Sequence, residues 1–158
     1  MSIINTQVHY TEHLAIHRLV RPGDRLTVQG RIAAILPHKA GTLFVLRYDV
    51  SDQAGGPVFT EHIGGMMRGV RCTDEGRGGE TLPESPSLDA SGQPPWEAPV
   101  RVDRTAPFVY DGCTYVYFPI HTSVALARAV GLSDIMYQVT STLALAVREV
   151  TNREAAGD

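Results

Sequence analysis

The run Asp134-Ile-Met-Tyr-Gln-Val-Thr-Ser-Thr-Leu-Ala-Leu-Ala-Val-Arg-Glu-Val150 decides the fold, because its apolar residues fall at helical spacing and not at strand spacing. Ile135, Met136, Val139, Leu143, Ala146, Val147 and Val150 stack on one face if the segment is a helix. Ser133 or Asp134 is placed to cap it, and Arg148 and Arg153 lie toward its C-terminal end, where cations complement the helix dipole. A helix over residues 134–150 is about 25 Å long, enough to cross a sheet. Leu145 and Ala144 add apolar surface off the main stripe, so the helix is expected to be covered on more than one side.

Upstream the period changes to two. Residues 6–71 read as antiparallel β-structure of three or four adjacent strands. Arg21-Pro-Gly-Asp24 is a turn, since Pro presets φ, Gly supplies positive φ and Asp can bond nearby backbone. Leu26, Val28, Gly30 and Ile32 then alternate with Arg25, Thr27, Gln29 and Arg31, as in a half-buried strand. Pro37-His-Lys-Ala-Gly41 breaks the chain, and Thr42-Leu-Phe-Val-Leu-Arg-Tyr-Asp-Val50 is rich in β-formers. Asp52-Gln-Ala-Gly-Gly-Pro57 reads as a hairpin turn and residues 58–68 as the return strand, with Gly64-Gly65 marking a bulge or a close backbone approach.

Between the two patterns, residues 73–99 carry Glu75-Gly-Arg-Gly-Gly-Glu80, Pro83-Glu-Ser-Pro86 and Ser91-Gly-Gln-Pro-Pro95, a surface linker by composition. Trp96 is placed to pin the returning chain. Residues 108–118, Phe-Val-Tyr-Asp-Gly-Cys-Thr-Tyr-Val-Tyr-Phe, are aromatic and β-branched, so propensity favours an extended segment. Pro119-Ile-His121 interrupts it. Thr122 or Ser123 can cap a short helix over 124–130 that stops at Gly131.

With 158 residues, 43% hydrophobic and 20% charged, the chain is sized and composed as one folded domain. Net charge −3 without a basic stripe argues against nucleic acid. No apolar run approaches the ~20 residues of a membrane helix, and residues 1–8 lack the basic and apolar regions of a signal peptide, so a cytoplasmic location is expected. Cys72 and Cys113 lack metal spacing and read as reduced structural thiols.

His9, His13 and His17 are four apart and would share one face of a helix or of a strand. The segment leads into a strand with only Glu12 as an orienting acid, so solvated or core-edge histidines are expected and no metal site. His38 and His62 have no partner at a recognisable spacing. His121 differs: it lies between a Pro-restrained turn and a helix start, where an imidazole can move a proton near neutral pH.

The stretch 108–121, followed by Ala125-Leu-Ala-Arg-Ala-Val-Gly-Leu132 and Thr140-Ser-Thr-Leu-Ala-Leu145, resembles the signature of the MaoC-like dehydratases, the hydratase-2 type of enoyl-CoA hydratase. Pro119, Ile120, His121, Ala127, Gly131, Leu132, Ile135 and Thr142 fit a motif of the form Gly-Asp-x-Asn-Pro-Ile-His-x-Asp, Ala-x-x-x-Gly-Leu/Phe, Ile-x-His-Gly and Thr. His17-Arg-Leu-Val-Arg-Pro-Gly-Asp24 and the strands after it resemble the same family's sheet. The resemblance implies an α+β hot-dog fold, an antiparallel sheet wrapped around a long central helix, here as a single domain over 1–158. Its parts are the strand block 6–71, the linker 73–99, and the signature and helix 105–152. Their order is permuted relative to a usual single hot dog, and open edge strands favour a homodimer or a hetero-oligomer with another hot-dog chain.

The departures fall on the catalytic positions. The family's catalytic Asp falls on Val116, its Asn on Phe118, the Asp after His on Ser123, and its His-Gly on Gln138-Val139. In the family, Asp and His activate water for addition to an enoyl thioester, and the Gly N–H polarises the thioester carbonyl. Here His121 is retained as acid/base, with Tyr117 or Asp111 as candidate second polar groups and Val116, Phe118, Ser123, Gln138 and Val139 lining the substrate. The function implied is dehydratase or hydratase-related chemistry, altered by Val116, on an acyl-CoA or acyl-carrier-protein-bound chain or a polyketide-type intermediate, without a cofactor. The alternatives are a cyclase on an activated acyl or polyketide chain, and a non-catalytic acyl-binding or partner subunit.

Overall fold

The computed structural model describes residues 6–84 and 96–155. By its contacts the chain divides into two compact units, Met1–Ser87 and Leu88–Asp158. The first is a four-stranded antiparallel sheet of β1 (Gln7–Ile16), β2 (Thr27–His38), β3 (Gly41–Ser51) and β4 (Pro57–Arg68), ordered β1-β4-β3-β2. The second carries α1 (Ala106–Thr114), α2 (Val124–Ala129) and α3 (Val139–Glu154).

Local chemistry sets the register of the sheet. The β3–β4 hairpin turns where expected: Asp52 Oδ1 accepts from the N–H groups of Ala54 at 3.0 Å and Gly56 at 2.9 Å, and Gly55 takes φ +82°. In the Arg21–Asp24 turn, Asp24 Oδ2 accepts from Arg21 N–H at 2.9 Å and pairs with Arg18 at 2.7 Å. Gly64-Gly65 proves to be a close approach. A Cβ at Gly64 would lie 2.0 Å from Thr11 Oγ1, and one at Gly65 2.2 Å from the Phe44 ring. The bulge sits opposite, on β1 between His9 and Thr11. It moves His9 to the face opposite His13, so His9 leaves the face that the three histidines were expected to share, while His17 stays on the side of His13, beside Thr60.

Two further expectations change. The glycine-rich start of the linker is ordered: Ile35 and Arg77 exchange backbone hydrogen bonds at 2.9 and 2.8 Å, and Gly79–Thr81 forms a 3₁₀ turn. Its glycines answer crowding, since a Cβ at Gly78 (φ +84°) would stand 2.0 Å from Ala33 O. Residues 85–95 of the expected linker lie outside the described residues. Residues 108–114 are helical and not extended, and the chain returns to an extended conformation only by Phe118. Asp103 Oδ1 accepts from Thr105 N–H at 2.8 Å, Pro107 sits in the first turn, and a helix follows to Thr114. Helix-start signals outweigh β-propensity here.

The helix over 124–130 forms as read, with Ser123 Oγ accepting from Leu126 N–H at 3.3 Å and Gly131 at φ +89° beyond its end. The long helix starts later than read. Asp134 Oδ1 takes the N–H of Ile135 at 2.8 Å, and Met136 N–H bonds Ile120 O at 3.3 Å, so neither Ser133 nor Asp134 caps it and residues 135–138 are non-helical. Leu143, Val147 and Val150 on α3 keep 38, 54 and 50% exposure.

Register divides the sheet into two faces. One buries Met66, Val45 and Ala34. The other presents Leu14, Ile16, Val28 and Ile32, all exposed, around Glu12 and Glu61. Glu12 pairs with His9 Nε2 at 3.1 Å, and burial, then the neighbouring Glu61 carboxyl, push its pKa up to about 7. The folded chain therefore keeps a proton on Glu12 between about pH 4.5 and about 7, where the unfolded chain has lost it. This contribution to stability is full below the lower value and lost as pH rises through the higher. We expect Glu12→Gln to flatten that decline and to raise the melting temperature near pH 8 by about 3 °C, read by calorimetry across pH.

Candidate functional site

The functional candidates gather around the entrance to α3. A 3₁₀ turn, Pro119–His121, buries Ile120 and presents His121 beside it. His121 Nδ1 lies 2.8 Å from the carbonyl oxygen of Met136. A carbonyl only accepts, so Nδ1 carries the hydrogen, and the neutral ring keeps its lone pair on Nε2. The Phe118 ring stands edge-on to the imidazole, with centroids 6.2 Å apart. Ser123 is occupied as the α2 cap.

Two residues along, Gln138 is buried and its side chain turns back to α1. Its Nε2 donates to Asp111 Oδ1 at 2.5 Å and to Pro107 O at 3.0 Å, while its Oε1 is buried without a hydrogen-bond partner. Asp111 is itself only 3% exposed. Met136 and Gln138 are thus held from two sides, by the histidine of the 3₁₀ turn and by α1. Val139 opens α3, where the first N–H groups have no carbonyl one turn back.

Polar residues that the sequence reading left out complete this cluster. Tyr137 OH and Ser141 Oγ are hydrogen-bonded, Tyr110 OH pairs with Thr140 Oγ1 at 2.8 Å, and the two tyrosine rings meet edge-to-face at 6.4 Å. The only advance signal was the i, i+4 spacing of Tyr137 and Ser141; Tyr110 needed the helix over 106–114 to be recognised.

The remaining candidates point elsewhere. Val116 is 65% exposed and Tyr117 66%, and Tyr117 makes no hydrogen bond among the described residues. The structure therefore brings Asp111 to Gln138 and Phe118 to His121, and leaves Val116 and Tyr117 at the surface. Tyr115 before them ends α1 in the left-handed region at φ +57°, the one non-glycine residue with positive φ among those described. Among the described residues no group of three or more His, Cys, Asp or Glu side chains is arranged to hold a metal. No helix of the described residues is long and apolar enough to cross a membrane.

No protein-family profile matches the sequence, and no curated protein matches it. Solved structures do. A MaoC-like dehydratase from Phytophthora capsici superposes with TM-score 0.81 at 22% identity, over 100% of this chain and 54% of its own. HtdX from Mycobacterium tuberculosis gives 0.72 at 19%, over 94% and 56%. Peroxisomal multifunctional enzyme type 2 from Drosophila melanogaster gives 0.66 at 16%, over 96% and 27%. The chain has the α+β hot-dog fold of the MaoC-like structures and spans about half the length of the first two.

The strain at Tyr115 is open to test because its side chain is 79% exposed and packs little. Tyr115→Gly is expected to stabilise by about 0.5 kcal/mol, the left-handed penalty of a side chain exceeding the extra entropy of glycine. Tyr115→Val should destabilise by about 1 kcal/mol, since a β-branched residue tolerates this region worst. Urea unfolding that failed to rank Gly above Tyr above Val would contradict this account.

Proposed function

We propose that the chain handles an acyl thioester as a dehydratase or hydratase of altered chemistry, with His121 Nε2 as the group that moves the proton. The observation that carries this reading is the Nδ1–H to Met136 O hydrogen bond, which leaves Nε2 as the basic atom. In the hydration direction Nε2 takes a proton from water as the water oxygen bonds C3 of an enoyl thioester. The π electrons move to C2, which receives the proton back from the imidazolium. Dehydration reverses each step. The N–H of Val139, at the positive end of α3, suits the thioester oxygen as negative charge develops on it.

Val116 supplies no second proton-transfer group. Asp111, buried and bonded through Gln138 to the segment that also anchors His121, acts as a positioning residue for the α3 entrance. Phe118 braces the imidazole edge-on. Coenzyme A and a carrier protein are both compatible carriers.

His121→Ala is expected to lower turnover of crotonyl-type thioesters by about 10²- to 10³-fold with a smaller change in KM. Product formation would be followed by intact mass and NMR, with both carriers. Unchanged turnover in His121→Ala would exclude the proton-transfer role.

The exposure of Tyr115, Val116 and Tyr117 beside this cluster favours a second element in the reading: the site is completed by another hot-dog chain, either a copy or a partner. Light scattering should then give a mass at least twice 17.2 kDa, alone or with the partner. Full thioester turnover by a monomer would refute this element while leaving the role of His121 standing.

A further inference from the structure

A second cluster of functional groups lies on the sheet, away from anything the reading above uses. The registers place His13 opposite His62, His62 opposite Arg47, and Arg47 opposite Arg31, so one transverse row on one face crosses all four strands. Three interstrand spacings make the row about 14 Å long. Like charges directly opposite one another destabilise a sheet, and a row of two arginines and two imidazoles calls for a compensating negative charge.

The protein supplies little of it. Asp49 is the acid facing this row, and it is taken up by Arg47, whose Nε and Nη2 reach its carboxylate at 2.7 to 3.0 Å. Arg31 is exposed and makes no ion pair among the described residues. His62 is only 8% exposed, and neither Nδ1 nor Nε2 has a hydrogen-bond partner. A buried imidazole with both nitrogens unpaired is an anomaly in a folded protein. His13 stands edge-on to it at 6.0 Å between centroids. Next along β4 comes Gly64, whose missing side chain leaves room for Thr11 Oγ1, a hydroxyl with no hydrogen bond among the described residues.

We propose that His13, His62, Arg47 and Arg31, with the Thr11 hydroxyl, form a binding site for a small oxyanion, a carboxylate or a phosphate group. The chemistry selects this ligand class. Two guanidinium groups repel a cation, whereas an oxyanion accepts from imidazole, hydroxyl and guanidinium N–H donors together. One short row in a chain of net charge −3 is too little for a nucleic-acid backbone.

The groups facing His62 also make binding proton-linked. Burial first, then Arg47, His13 and Arg31, hold its pKa below the ordinary value, with Asp49 acting the other way. Thr60 and Gly64, its neighbours on the same face of β4, carry no charge. An anion beside the ring reverses the balance, so His62 takes up a proton as the ligand binds.

The test is a titration of the full chain, labelled at histidine, with inorganic phosphate or succinate against chloride at equal ionic strength. The His62 ring signals are expected to shift along a saturating curve at millimolar anion, and their pH midpoint to rise by about one unit. Saturation by phosphate alone or succinate alone names the oxyanion, and saturation by both names the shared chemistry. Arg31→Gln, an exposed change on an edge strand, should weaken binding by about tenfold without altering the fold. A linear response, the same response to chloride, or an unchanged half-saturating anion concentration in Arg31→Gln would overturn the proposal.

Discussion

An imidazole N–H bonded to a peptide carbonyl organises the second unit. The bond from His121 Nδ1 to Met136 O fixes the tautomer of the ring and ties the 3₁₀ turn to the segment that leads into α3. Met136 returns a second bond through its N–H to Ile120 O. The two residues before and at the histidine therefore hold one residue of that segment from both its polar groups. Gln138, two positions on, closes the other side by reaching Asp111 and Pro107. Remove the imidazole and the ring's chemistry is lost together with one of these ties, so a structural and a chemical role coincide in one side chain. This is why the proton-transfer role has to be read from turnover and not from stability.

The first unit rests on a different constraint, the absence of side chains. Gly64 and Gly65 let β1 and the Phe44 ring approach the β4 backbone, and the β1 bulge opposite them absorbs the crowding. The bulge in turn sends His9 and Glu12 to one face and His13 to the other. Two polar groupings on opposite faces, the Glu12–His9 pair and the His13–His62 row, thus follow from one irregularity between two residues. Gly78 repeats the device where the chain leaves the sheet and lies against the carbonyl of Ala33.

How much of this was legible follows from how local each signal is. The turn after β3, the cap at Ser123 and the stop at Gly131 depend on single residues and their immediate neighbours, and they form where the sequence places them. The segment 108–118 misleads because aromatic and β-branched residues report packing preference, whereas Asp103 and Pro107 upstream nucleate a helix whose Asp111 finds a partner 27 residues away. The start of α3 misleads for a related reason: Ile135 and Met136 keep the helical spacing but spend their backbone groups on Asp134 and Ile120. Glycines 76 and 78 carry opposite meanings, flexibility or contact, and composition alone does not separate them. Within the candidate site, His121 was legible from its Pro-Ile-His context and Gln138 from its place in the signature, while the bond of Gln138 to Asp111 and the part played by Tyr110 became visible only once α1 was in place.

The exposure pattern bears on what kind of object the chain is. Apolar side chains remain open on one sheet face, at Leu14, Ile16, Val28 and Ile32, and on α3, at Leu143, Val147 and Val150. Each set is periodic, with the spacing of its own element, which scattered surface hydrophobics are not. A periodic stripe is the mark of a surface shaped to be covered. Val28 and Ile32 of the strand alternation and Leu143, Val147 and Val150 of the helical stripe, which helped to identify these elements in the sequence, are among the residues that stay exposed. The pattern that specifies the fold therefore extends beyond what the described residues bury.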